Sequence, residues 1–96
     1  MSRLLLAEEA ADDLDRIADF LLHNDPAAAA ATVDLILNGL EILTDHPLVG
    51  RPLAAGLREL VISRGRTGYL ALYRFDAQSD IALVLAVRHQ RESACH

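Results

Sequence analysis

The chain has 96 residues, 52% hydrophobic and 24% charged, enough for one domain with a single core that buries roughly 60 to 70 per cent of the unfolded surface. Its uninterrupted apolar runs fall far below the ~18 residues of a membrane span, and MSRLLLAEEAADD turns acidic too early for a secretory signal. These features predict a cytoplasmic protein without membrane partners. The net charge of −5 hides an asymmetry: residues 1–50 carry ten acids against Arg3 and Arg16, and residues 51–96 carry seven arginines against four acids. The chain has no lysine, so every fixed cation on a side chain is a guanidinium, suited to bidentate contact with carboxylate or phosphate. The lone Cys95 excludes an internal disulfide.

Arg3-Leu4-Leu5-Leu6 fits either an edge strand or the start of the following helix. From Glu8, the residues Ala10, Leu14, Ile17, Ala18 and Leu21 form one face of an α-helix that ends near His23 or Asn24. Glu8, Glu9, Asp12 and Asp13 crowd its first turns, where the helix dipole favours negative charge. Asp25-Pro26 reads as an N-cap followed by proline at the first helical position. A second helix is predicted from Pro26 to about Asp45. Its residues Val33, Ile36, Leu37, Leu40 and Leu43 share one side, and Leu35, Gly39 and Ile42 widen the apolar arc. A helix this apolar is covered on two sides, as in a helical hairpin lying on a sheet.

Residues His46 to Pro52 hold two prolines and a glycine and read as a loop. Leu57 to Ile62 is the first clear strand of the C-terminal half. Ser63 to Gly68 is read as a connection carrying Arg64 and Arg66. Tyr69 to Phe75 and Ile81 to Val87 then flank the turn-rich Asp76-Ala77-Gln78-Ser79-Asp80, the pattern of a β-hairpin. The whole is an α+β order, β-α-α-β-β-β, with an N-terminal helical hairpin on a small, curved, mainly antiparallel sheet.

In both hairpin strands each parity is apolar. Leu70 and Leu72 oppose Tyr69, Ala71, Tyr73 and Phe75; Ile81, Leu83, Leu85 and Val87 oppose Ala82, Val84 and Ala86. An antiparallel sheet normally alternates, with one wet face. Helices cover only one side, so the other is expected to be covered by curvature, a second copy or a different protein.

Five pieces in order, ADDLDRIADFL, the Pro-started helix ending in LTDHPLVGRP, GLREL, YLALYRFD and VLAVRHQRE, resemble the RelE/ParE superfamily of bacterial toxins from about Leu6 to Glu92. The ParE-like branch of plasmid stabilisation proteins is the more similar. The resemblance implies a toxin of a type II toxin–antitoxin pair, neutralised by a cognate antitoxin that would supply the missing cover over Leu70, Leu72, Tyr73 and Val84. It implies DNA gyrase as the target for a ParE-like member, or messenger RNA on the ribosome for a RelE-like one. A non-toxic binding member of the superfamily is the remaining alternative.

RNA cleavage by a 2′-hydroxyl needs a base, an acid and cations for the developing phosphorane charge. His89, Arg58 and Arg91 are the candidates for that chemistry. A recognition surface needs none of it, and Arg64, Arg66, Arg88, His89 and Arg91 are the candidates there. The resemblance implies, for nuclease members, lysines before the hairpin and an aromatic residue after HQRE; this chain has neither, and with its negative net charge this favours recognition over cleavage. Structural roles stand beside these: Arg58 suits an ion pair, Tyr73 and Arg74 suit cross-strand packing, and His89 suits a hydrogen-bonded position. His23, His46, Cys95 and His96 lack zinc-ligand spacing, and no cofactor or metal is expected.

Overall fold

The computed structural model describes residues 1–64 and 67–90. Its elements run β1 (Arg3–Leu6), α1 (Glu8–Asn24), α2 (Pro26–Leu40), α3 (Ile42–Asp45), β2 (Arg51–Pro52), β3 (Leu57–Arg64), β4 (Thr67–Asp76) and β5 (Ile81–His89). They form one five-stranded sheet in the order β1-β5-β4-β3-β2. The ambiguous Arg3–Leu6 run is a strand, parallel to β5 with Leu5 beside Leu83, and every other pairing is antiparallel.

The helical hairpin forms where the spacing predicts it. Ala10, Leu14 and Ile17 of α1 are buried against the sheet. No side chain caps α1 at Ala7, and Glu8 and Glu9 supply the negative charge its first turn favours. Asp25 joins the two helices through its backbone, giving its N–H to Leu21 and accepting from Ala28 at 3.0 Å. The expected capping by its carboxylate is absent; Pro26 at the start of α2 needs no partner for a missing N–H.

The predicted second helix is interrupted at Glu41. Ile36, Leu40 and Leu43 are buried as expected, but Leu37 is exposed and Leu35 packs on the core in its place. By length and composition Pro26–Asp45 is apolar enough to cross a membrane. In the fold, its Ile36, Leu40 and Leu43 contribute to the core formed with the sheet. Gly39 lets α2 approach β3, since a Cβ there would lie 2.9 Å from the Ile62 side chain.

Two readings of the loops change. The segment read as irregular from His46 to Pro52 contains β2, which pairs Arg51 with Glu59 and Pro52 with Arg58. Proline is tolerated there because an edge strand can leave its N–H side unpaired. The predicted connection from Ser63 to Gly68 is mostly strand, with pairing carried out to Arg64 and Thr67.

Candidate functional site

Strand alternation sorts the hairpin into two faces. Ile62, Tyr69, Ala71, Tyr73, Ala82, Val84 and Val87 point into the core shared with the helices. Leu70, Leu72, Leu83 and Ala86 are half-buried on the opposite face. Leu5 and Val61 join them there, 40% and 54% exposed. The residue pattern predicts two apolar faces, and among the described residues the helices cover only one of them. The open face holds a hollow of about 190 Å³ lined by Glu59, Leu70, Leu72, Ala86 and Arg88. Beyond Glu59, the outer edge of β3 has no strand partner among the described residues, a row of backbone groups able to accept another strand.

Of the residues expected to meet an antitoxin, Leu70 and Leu72 lie on this open face. Tyr73 and Val84 do not: both are completely buried beneath the helices and present no surface to another protein. Tyr73 serves the loop before β2. Its hydroxyl donates to the Pro47 carbonyl at 2.8 Å and accepts the Gly50 N–H at 2.9 Å. Gly50 is required by this approach, because a Cβ would sit 2.6 Å from the Tyr73 ring and 2.9 Å from the Glu59 carbonyl oxygen.

Arg58 holds the same loop from the strand side, donating to the carbonyls of Leu48 at 3.0 Å and Gly50 at 2.8 Å. Its neighbour Glu59 pairs with Arg51 at 2.9 Å. Arg58 is thus engaged by backbone oxygens in place of the ion pair its sequence context suggested. Arg74 donates to Ala55 O at 3.2 Å.

At the other end of the hairpin, Arg88 and His89 follow one another in β5 and so point to opposite faces. Arg88, 53% exposed, lines the open face with its Nε 3.9 Å from Asp13 Oδ2. His89 turns toward the helix side and meets the Tyr69 ring edge-on, with centroids 5.2 Å apart. His89 lies opposite Tyr69, and Arg58 lies opposite Tyr73. Four residues of strand therefore separate them, roughly 13 Å. The two described members of the candidate nuclease set do not converge on one phosphate. Arg66 and Arg91 lie outside the described residues, as does the side chain of Arg64.

Asp13 is the residue that sequence reasoning assigned only to the helix dipole. Its carboxylate accepts the Val87 N–H at 2.9 Å and an Arg16 guanidinium N–H at 3.1 Å. A signal was present: Asp13 lies three residues after Ala10 and four before Ile17, on the border of the buried stripe, where a carboxylate needs partners.

The hairpin turn is held by another carboxylate. Asp76 accepts from the Ser79 hydroxyl at 2.8 Å and the Gln78 N–H at 3.1 Å. These bonds hold its carboxyl below its ordinary value, the Ser79 contact most strongly. Among the described residues, no group of three or more His, Cys, Asp or Glu side chains is placed to hold a metal ion.

Comparisons with known proteins agree with this architecture. Residues 4–94 match the ParE toxin of the type II toxin–antitoxin system, parDE. Toxin RelE3 of Caulobacter vibrioides is 35% identical over 92 residues, covering 96% of this chain and 98% of the relative. Among solved structures, the chromosomal ParDE system from P. aeruginosa superimposes with a TM-score of 0.78 at 26% identity, covering 93% of this chain and 96% of the other. The RelBE2 toxin–antitoxin complex from Mycobacterium tuberculosis gives a TM-score of 0.60 at 29% identity, covering 92% and 96%.

Proposed function

Since the chain belongs to the ParE toxin family of type II toxin–antitoxin systems, within the wider RelE/ParE superfamily, we propose that it is a cytoplasmic toxin acting on DNA gyrase. We further propose that its antitoxin covers the sheet face left open by the helices. A cognate antitoxin as partner is supported by the similar solved structures, which are toxin–antitoxin systems. The observation that carries the choice of face is apolar: Leu5, Val61, Leu70, Leu72, Leu83 and Ala86 form a second hydrophobic side with no helix of the described residues over it. A partner segment with apolar residues for the hollow and acids for Arg88 suits this surface.

Gyrase as target is supported by the ParE match over nearly the whole chain. It is also supported by the arrangement of the described candidates, since inhibition by binding asks for a recognition surface and no acid–base pair. Arg58 is committed to the Leu48 and Gly50 carbonyls and lies far from His89 along the strand direction. A second reading, cleavage of messenger RNA on the ribosome, draws support from the relative named RelE3.

Induced expression of the gene without its antitoxin separates these readings. Growth arrest with filamentation, a DNA-damage response and inhibited supercoiling by purified gyrase is the expected result. Immediate loss of translation with cut messages would replace gyrase by the ribosome, and normal growth would indicate a non-toxic binding member.

A further inference from the structure

The second half of β5 is built differently from the first. Over Ile81 to Val84, β5 has β1 on one side and β4 on the other. β1 stops at Leu6, the Ala7 N–H reaches the Val84 carbonyl at 2.8 Å, and the chain leaves the sheet to begin α1. One residue later the register with β4 shifts: Leu72 pairs with Ala86 but Tyr73 pairs with Val84, so Leu85 is an inserted, bulged residue. A bulge bends and twists its strand. Beyond this single irregularity β5 pairs regularly with β4 from Ala86 to His89, but on its other side no strand among the described residues continues β1.

Beyond the end of β1, the Asp13 side chain of α1 reaches the same edge of β5. Its Oδ2 accepts the Val87 N–H at 2.9 Å, a contact between residues 74 positions apart, from a side chain only 15% exposed. The same oxygen lies 3.9 Å from Nε of Arg88, the next residue, which alternation sends to the open face. One carboxylate thus satisfies the edge donor after the bulge and faces the guanidinium that lines the open hollow. Arg16, bound to the other carboxylate oxygen at 3.1 Å, restricts the rotation of Asp13.

We propose that Asp13 is a positioning residue for recognition: it replaces the missing edge strand beside β5, fixing the bulged strand end so that Arg88 is presented on the open sheet face. The inference rests on the reading of that face as a recognition surface. It requires no contact between Asp13 and a partner.

The test compares Asp13→Ala, Asp13→Asn, Arg88→Ala and the double variant Asp13→Ala/Arg88→Ala, each produced with the antitoxin to confirm folding and then as refolded toxin for antitoxin affinity. Loss of a hydrogen bond to a charged group corresponds to roughly ten- to a hundredfold. Asp13→Ala is expected to weaken antitoxin binding about tenfold, Asp13→Asn to recover most of it by keeping an acceptor for Val87, and the double variant to be no weaker than Arg88→Ala. Amide exchange adds a readout on the unaltered complex: the Val87 N–H is expected to be protected. A Val87 amide that exchanges freely in the wild-type complex overturns the positioning role, even if Asp13→Ala does not fold. So does wild-type affinity of Asp13→Ala alongside a clear loss in Arg88→Ala, or full additivity in the double variant. Wild-type affinity for both single alanine variants overturns instead the recognition reading of Arg88 and with it the inference.

Discussion

The two faces of the sheet are built from nearly the same residue types and end in opposite situations. On the helix side, Tyr73, Ala71, Ala82, Val84 and Val87 are fully buried, and the one hydroxyl among them has both a donor and an acceptor. On the far side, Leu70, Leu72, Leu83 and Ala86 are equally apolar but half-buried, and the charges near them sit at the margins: Glu59 with Arg51, Arg88 with Asp13, and Arg74 on Ala55 O. Apolar character alone therefore does not identify a core. The closed face has its polar groups satisfied within the chain, and the open face leaves its apolar side chains half-exposed, as the proposed seat of a partner would.

Substitutions on the two faces should separate stability from binding. The largest effect is expected from Tyr73→Ala, which empties a fully buried site and releases the loop at Pro47 and Gly50. A loss of about 3–5 kcal/mol in urea unfolding is expected. Tyr73→Phe keeps the ring and should lose about 1–3 kcal/mol through the unsatisfied hydrogen bonds. If both variants unfold like the wild type, the closed face is not the core. Leu72→Gln on the open face should behave in the opposite way, with stability changed by under about 1 kcal/mol. Its antitoxin affinity should fall by about 2 kcal/mol or more, as for a central interface residue. An unfolded Leu72→Gln protein with unimpaired residual binding would erase the distinction between the faces.

The smallest effect concerns the turn that joins both faces. Asp76 has a depressed pKa, so its stabilising contribution is present at neutral pH and is lost as pH falls below its ordinary 3.8 and through the lowered value. Asp76→Asn should therefore be slightly less stable than the wild type at neutral pH, with the gap closing in strong acid. Thermal melts at several pH values check this, and a gap that widens in acid would contradict it.

Much of this contrast was legible in the residues. The periodicity of Ala10, Leu14 and Ile17 placed α1, and the doubled apolar parity of the hairpin announced a second face. What the pattern could not supply was which parity the helices cover. Tyr73 and Val84 were grouped with Leu70 and Leu72 because both sets are apolar; only the packing of α1 and α2 divides them. The bulge at Leu85 shifts parity midway through β5, which no local alternation reveals. Arg88 and His89 looked like one cationic tip because they are adjacent, although adjacency in a strand sends them to opposite faces. Arg51, and not Arg58, pairs with Glu59 because β2, two residues long, is set by its pairing with β3 and not by its own propensity. Asp13 was visible as an acid near a buried stripe, but its acceptor role depends on where β1 ends.

The central claim is that the open face is the antitoxin's seat. Solvent paramagnetic relaxation of Leu, Val and Ile methyl groups, measured for the toxin alone and after adding its antitoxin, tests it most directly. The methyls of Leu5, Val61, Leu70, Leu72 and Leu83 should relax strongly in the free toxin and lose most of that relaxation in the complex, while Val84 and Val87 stay protected in both. Open-face methyls that remain as exposed in the complex as in the free toxin, with protection gained elsewhere, for instance at Leu48 and Val49, would contradict it.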